Sequence, residues 1–184
     1  DIVPTQALRY THLAFVLVLS FLLFPLAAGF RNRIEWFDVI AGMLAIGIMG
    51  YALLSGDDFT DRAAVPEQWD VILGVALIVL VLEASRRTTG PIMAFVAVLF
   101  ILYALFGEYL PPPWTHRSYD VARLIGHMFI TLEGIFGVAL DVSATLIVMF
   151  TIYGAVLQHS GAGKFFIDFS LAVMGDRTSP DIRS

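Results

Sequence analysis

The chain has no cysteine, which excludes a disulfide framework, a thiolate metal site and a thiol nucleophile together. Charge is scarce as well. Only 15% of its 184 residues are Asp, Glu, Lys or Arg, too few to coat a soluble domain of this length. The 11 basic residues are scattered or paired at the ends of apolar stretches, and the net charge is −5, so there is no nucleic-acid footprint. Catalytic sets are missing too: no Ser/His/Asp arrangement within one plausible site, no HExxH and no dinucleotide fingerprint. His12, His116, His127 and His159 fall at different depths along the chain, which argues against a haem-binding pair. Ser160-Gly161-Ala162-Gly163-Lys164 looks like a phosphate loop, but the Walker spacing needs Gly where Gln158 stands and Ser or Thr where Phe165 stands. Neither an enzyme nor a bound cofactor is expected.

What the chain has in abundance is apolar length. Hydrophobic residues make up 58% of it and the mean hydropathy is +0.81. They gather in Tyr10–Phe30, Trp36–Leu54, Trp69–Ala84, Pro91–Leu110 and Val138–Leu157. About 20 helical residues cross a hydrocarbon core of roughly 30 Å. In lipid the backbone must satisfy itself, which leaves helices or a closed barrel. The unbroken apolar run from Val71 to Leu82 lacks the alternation of a barrel strand. The expected fold is therefore all-α and polytopic, with about five transmembrane helices, an interfacial amphipathic helix and a short C-terminal helix.

The loops set the orientation. Arg31-Asn32-Arg33 is basic; residues 55–68 carry Asp57, Asp58, Asp61 and Glu67 against Arg62; the next loop holds Arg86-Arg87; and Pro111-Pro112-Pro113-Trp114-Thr115-His116-Arg117 is nearly neutral. Basic loops stay in the cytoplasm, so Asp1 starts outside. Either a preceding span belongs upstream or a short tail was translocated. The start at Asp1 rather than Met leaves open a processed product or a piece of a longer chain. The third stretch is short, and it can cross with little tilt if Asp70 and Glu83 reach the headgroups from its ends. Trp36, Trp69, Tyr103, Tyr109 and Trp114 sit where aromatic rings favour the interface.

Within the second stretch Gly42, Gly47 and Gly50 join Ala41-x-x-x-Ala45 in a small-residue face suited to close helix packing. Past the proline run, Ser118-Tyr119-Asp120 can cap a helix through Ile130. That helix, with Arg123 and His127, is too polar to cross alone and lies along the interface or braces the bundle. Gly134 and Gly137 break the chain before the fifth span. Asp141, Ser143 and Thr145 are the candidate intramembrane polar residues. For Asp141, an interfacial or helix-dipole role competes with an ion or substrate role, and its place within a turn of the helix start favours the first. Ser143 and Thr145 bond to backbone or a neighbouring helix. Gly161 ends the fifth helix in a left-handed cap, and residues 165–174 follow as a short apolar helix.

Several blocks carry a family resemblance. They are Glu83-Ala84-Ser85-Arg86-Arg87-Thr88-Thr89-Gly90, Tyr103-Ala104-Leu105-Phe106-Gly107, the run from Thr131 to Thr145, and the run from Gly154 to Asp168. Together, from about Leu8 to Gly175, the chain resembles the fused permease subunit of TRAP transporters of the TAXI type. The resemblance implies a small-subunit-like module with a joining helix over 1–110. It also implies an arm helix, a fifth span and the start of the large transport module over 111–184. A full-length relative would be a sodium-coupled importer of organic acids in the bacterial inner membrane, fed by a periplasmic substrate-binding protein. Such permeases continue for several hundred residues, with hairpins that hold substrate and sodium. The stretch present here would be scaffold, not competent for transport alone. Its candidate partner surface is Asp57, Asp58, Asp61, Trp114, His116 and Arg117. Its partners would be the bilayer, the remaining permease and the binding protein. The reading from a different class is a stand-alone membrane subunit, a truncated permease homologue with a structural role in a larger membrane complex.

Overall fold

The computed structural model describes residues 4–24 and 36–175. The basic loop Arg31-Asn32-Arg33 and the polar run 176–184 lie outside the described residues, as does the side chain of Asp57. Every regular element among the described residues is helical, which is the all-α class expected. In chain order they are α1 (Thr5–Leu23), α2 (Trp36–Asp61), α3 (Gln68–Thr89) and α4 (Pro91–Phe106, continued by a 3-10 turn to Tyr109), then α5 (Val121–Ile130), α6 (Val138–His159) and α7 (Ala162–Gly175). Of these, α1, α2 as far as Gly56, α3, α4 with its 3-10 turn, and α6 are long and apolar enough to cross a membrane. The chain divides into two compact units, Asp1–Asp141 and Val142–Ser184, and the proline run lies inside the first.

In the first unit α1 buries Tyr10, Leu13, Leu17 and Phe21, a stripe of threes and fours along one helix face. It meets Ala45, Ile48, Met49 and Ala52 of α2, and Leu77, Leu80 and Ala84 of α3 complete the core. The small-residue face of α2 is used in part. Ala45 is fully buried, and a Cβ on Gly42 would sit 3.7 Å from Val18, whereas nothing lies within 4 Å of such an atom on Gly47 or Gly50. Lipid tails supply no hydrophobic drive for helix pairing, so this close packing and the polar ties described below hold the bundle.

Two spans differ from their sequence expectation for one reason. α1 begins at Thr5, ahead of Tyr10, and α3 runs for 22 residues, well past the expected Trp69–Ala84. In both, charged residues that hydropathy assigns to water are turned into the bundle and paired. Asp70 does not reach for the headgroups; it is 0% exposed.

α5 braces the bundle. Its buried Ile125, Phe129 and Ile130 pack towards α3, where Gly74 leaves room. A Cβ on Gly74 would collide with Cγ2 of Ile125 and come within 3.1 Å of the Phe129 ring. α5 is α-helical through Ile125 and finishes in a π turn over Gly126–Ile130. The expected cap differs in detail: Asp120 holds the N-cap position without a side-chain bond. Ser118 instead accepts a hydrogen bond from the Glu108 amide at 3.1 Å. After α5, Phe136 turns back into an aromatic cluster, 4.6 Å from Tyr10 and edge-on to it, while Phe59 meets Phe129 at 5.1 Å. Such edge-to-face pairs add to plain burial. α4, by contrast, buries none of its residues.

In the second unit α6 carries a π turn over Ser143–Ile147 and ends at His159. Gly161 follows at φ 74, the left-handed conformation expected of it, which costs an ordinary L residue about 1–2 kcal/mol. α7 then runs 14 residues with Phe165, Phe166 and Phe169 exposed.

Candidate functional site

Three knots of buried charge tie the first unit together. At the end where α3 starts, Asp70 Oδ1 accepts from the Tyr51 hydroxyl at 2.8 Å, and Oδ2 accepts from the Glu67 amide at 3.0 Å. The second bond closes the first turn of α3, where a carboxylate also suits the helix dipole. Arg62 lies beside the same carboxylate, with Nη1 3.4 Å from Asp70 and 3.1 Å from Glu67, and its Nε donates to the Asp58 carbonyl at 3.1 Å. The Tyr51 hydroxyl, foremost, and then the surrounding carboxylates raise the Arg62 guanidinium above its ordinary pKa against the cost of desolvation.

At the opposite end Arg87 takes the same part. Its Nη1 donates to Asp38 Oδ1 at 2.6 Å and to the Phe24 carbonyl at 3.2 Å, and its Nε donates to Glu83 at 2.8 Å. The guanidinium carbon stands 5.0 Å above the Phe21 ring, within cation–π range. Both partners are almost fully covered, Arg87 at 4% and Asp38 at 3% side-chain exposure. One side chain thus joins α1, α2 and α3. Glu83 also receives two bonds from Arg86, at 2.7 and 2.8 Å, so it too is paired.

The third knot involves a candidate residue. Asp141 Oδ1 accepts from Arg9 Nε at 3.1 Å, and Arg9 Nη1 donates to the Phe136 carbonyl at 2.7 Å. Asp141 therefore faces a cation of α1 from the first turn of α6. Sequence reasoning missed Arg9 because it precedes the apolar stretch; the signal available was a lone arginine inside the first helix. Ser143 and Thr145 lie in the π turn one step further, and neither is without a bonding partner. No buried side-chain nitrogen or oxygen among the described residues lacks a partner.

The expected partner surface divides in two. Asp58 and Asp61, with Ser55, Arg62 and Glu67, line a hollow of about 560 Å³ beyond the α2 break at Gly56. Trp114, His116 and Arg117 belong to the loop after α4. Trp114 is 65% exposed and its carbonyl accepts from the Tyr103 hydroxyl at 3.0 Å. His116 is half-buried over Gly107, with one ring nitrogen 2.9 Å from the Arg117 carbonyl and the other 2.9 Å from that of Tyr103. Its ring therefore builds the loop, and Trp114 and Arg117 are what the loop presents outward. Glu133 stands in the turn beyond α5, not on the helix that carries His127.

Spanning helices with internally paired charges and wide apolar faces turned outward define a multi-pass helical membrane protein. Residues 76–179, more than half of the chain, match the family described as tripartite ATP-independent periplasmic transporter, DctM component. The chain belongs to that family and is a permease component of a TRAP-type transporter; the family is one of transporters, not enzymes. The match opens within α3, upstream of Ser118, and runs through α7. Comparisons with curated proteins and with solved structures each gave no match.

Proposed function

We propose that this chain is the scaffold portion of a binding-protein-dependent, sodium-coupled importer of organic acids, of the fused TAXI type. On this reading α1 to α3 form the small-subunit-like module, α4 is the joining helix, α5 the arm, and α6 and α7 open the transport module. The chain sits in the bacterial inner membrane with Arg86 and Arg87 at the cytoplasmic face. The Asp1 end and the loops 55–67 and 111–117 then face the periplasm, where Asp58 and Asp61 are offered to the binding protein. The observation that supports the reading is the pairing of the buried charges with one another. Ionisable groups in a membrane are expensive and usually mark a substrate or ion path. Here Asp38, Asp70, Arg87 and Arg9 are each engaged in joining helices, which suits an anchor for a moving domain. Substrate and sodium would be held elsewhere in the permease.

The test is gentle purification from the native membrane, with mass spectrometry of the intact protein and of whatever accompanies it. Further permease sequence, on this chain or another, together with a soluble binding protein, is the expected result. Stoichiometric association with an unrelated membrane complex would overturn the importer and make the chain a structural subunit of that complex.

A further inference from the structure

The described arginines fall into two groups. Arg9, Arg62, Arg86 and Arg87 each stand against a carboxylate. The guanidinium groups of Arg117 and Arg123 make no hydrogen bond or ion pair among the described residues, and both line one hollow of about 310 Å³ with Ser118, Tyr119 and Asp120. The Asp120 carboxylate does not bond the helix end it precedes. Two cations and one anion thus face a common space without neutralising one another.

The hollow is held in place from below. The Tyr119 amide donates to the Ala104 carbonyl at 3.1 Å, and Ser118 is fixed by the Glu108 amide. This puts the site at the end of α4, among Tyr109, Trp114 and Tyr119, all more than half exposed. Exposed aromatic rings at the end of a span mark headgroup depth. Alongside runs α4, whose Leu99, Leu102 and Phe106 are exposed, an apolar wall for acyl chains.

We propose that Arg117, Arg123 and Asp120 seat the headgroup of a zwitterionic phospholipid. The phosphodiester is taken by the two guanidinium forks, whose planar donors match phosphate oxygens, and the headgroup ammonium by Asp120. The charge pattern selects this class: a phosphodiester alone would leave Asp120 opposed to it, and an amine alone would meet two cations.

The test uses the full chain purified in mild detergent and titrated, under native mass spectrometry, with dioleoylphosphatidylethanolamine and separately with dioleoylphosphatidylglycerol. Wild type is expected to retain one phosphatidylethanolamine. The double variant R117Q/R123Q weakens retention of both lipids about thirtyfold, in line with the worth of two surface cations near lipid phosphate. D120N weakens phosphatidylethanolamine but not phosphatidylglycerol, which has no ammonium. Unchanged helical circular dichroism shows that the variants fold. Equal lipid retention by wild type and R117Q/R123Q would overturn the site. So would a double variant that keeps its lipid but loses an acidic protein partner, because the hollow would then be a protein dock.

Discussion

Arg9 in α1 and Asp141 in α6 lie 132 residues apart in sequence and 3.1 Å apart in space, with the Arg9 Nε hydrogen directed at Asp141 Oδ1. The bond fastens the first turn of the fifth span to the first helix, and the Arg9 bond to the Phe136 carbonyl fastens the preceding turn. Arg9 is 10% exposed and Asp141 32%, so water screens one side of the pair only. Arg9→Met removes one charged hydrogen bond to the Asp141 carboxylate and one to the Phe136 carbonyl. We expect a loss of about 1–3 kcal/mol, below the full cost of breaking a buried pair because Asp141 is partly wet. Thermal unfolding in detergent micelles reads it. The double variant Arg9→Met/Asp141→Leu should lose less than Arg9→Met alone, and no recovery would show that the pair is not the tie.

Arg87 is the most covered cation in the bundle, and its variants should separate charge from geometry. Arg87→Met takes a 2.6 Å charged donor from the Asp38 carboxylate, 3% exposed, at a cost of about 1.5–3 kcal/mol, the worth of a hydrogen bond to a charged group. Arg87→Lys keeps the charge but not the fork that reaches Asp38, Glu83 and the Phe24 carbonyl at once, and should fall between wild type and Arg87→Met. Urea unfolding monitored by tryptophan emission gives the order. A lysine variant as weak as the methionine one would show that the three-way geometry outweighs the charge.

The spans were legible because hydropathy is a local property, and so was the cap at Gly161, where a glycine closes an apolar run. The knots were not legible in this way. Arg87 and Asp38 are 49 residues apart, and Tyr51 and Asp70 are 19 apart. Read one at a time, Asp70 and Glu83 are charges that lipid would expel, so sequence reasoning sent them to the headgroups. Asp70 is tolerated inside because Tyr51 of α2 and Arg62 reach it, which is a property of the packed bundle, while Glu83 is paired by Arg86 and Arg87 of its own helix. The same logic explains why Arg9 went unremarked and why Asp141 carries two readings when it is read alone.

Tyr51 tests the knot at the other end. Its hydroxyl donates to the wholly buried Asp70 at 2.8 Å and lies 3.4 Å from Arg62 Nη1. Tyr51→Phe keeps the ring, which packs edge-on to Phe59 at 6.2 Å, and removes only the hydroxyl. A hydrogen bond to a charged group is worth about 1.5–3 kcal/mol, and that is the destabilisation expected in a detergent melt. Arg62→Gln should act on the same carboxylate, so the two changes together should cost less than the sum of the singles. Full additivity would mean that Tyr51 and Arg62 do not share Asp70.

Gly74 makes a prediction about shape. Its missing side chain is what lets Ile125 and Phe129 lie against α3. Gly74→Ala gains helix propensity, worth about 0.8–1.0 kcal/mol in an unpacked helix. Here the added methyl meets Ile125 Cγ2, and overpacking of this kind costs about 1–3 kcal/mol, so the net effect is a loss with α5 displaced from α3. Hydrogen exchange of the α5 amides in detergent reads the displacement, which should make exchange faster with alanine or leucine at 74 than with glycine. Equal exchange in all three would mean that α5 does not rest on α3 at Gly74.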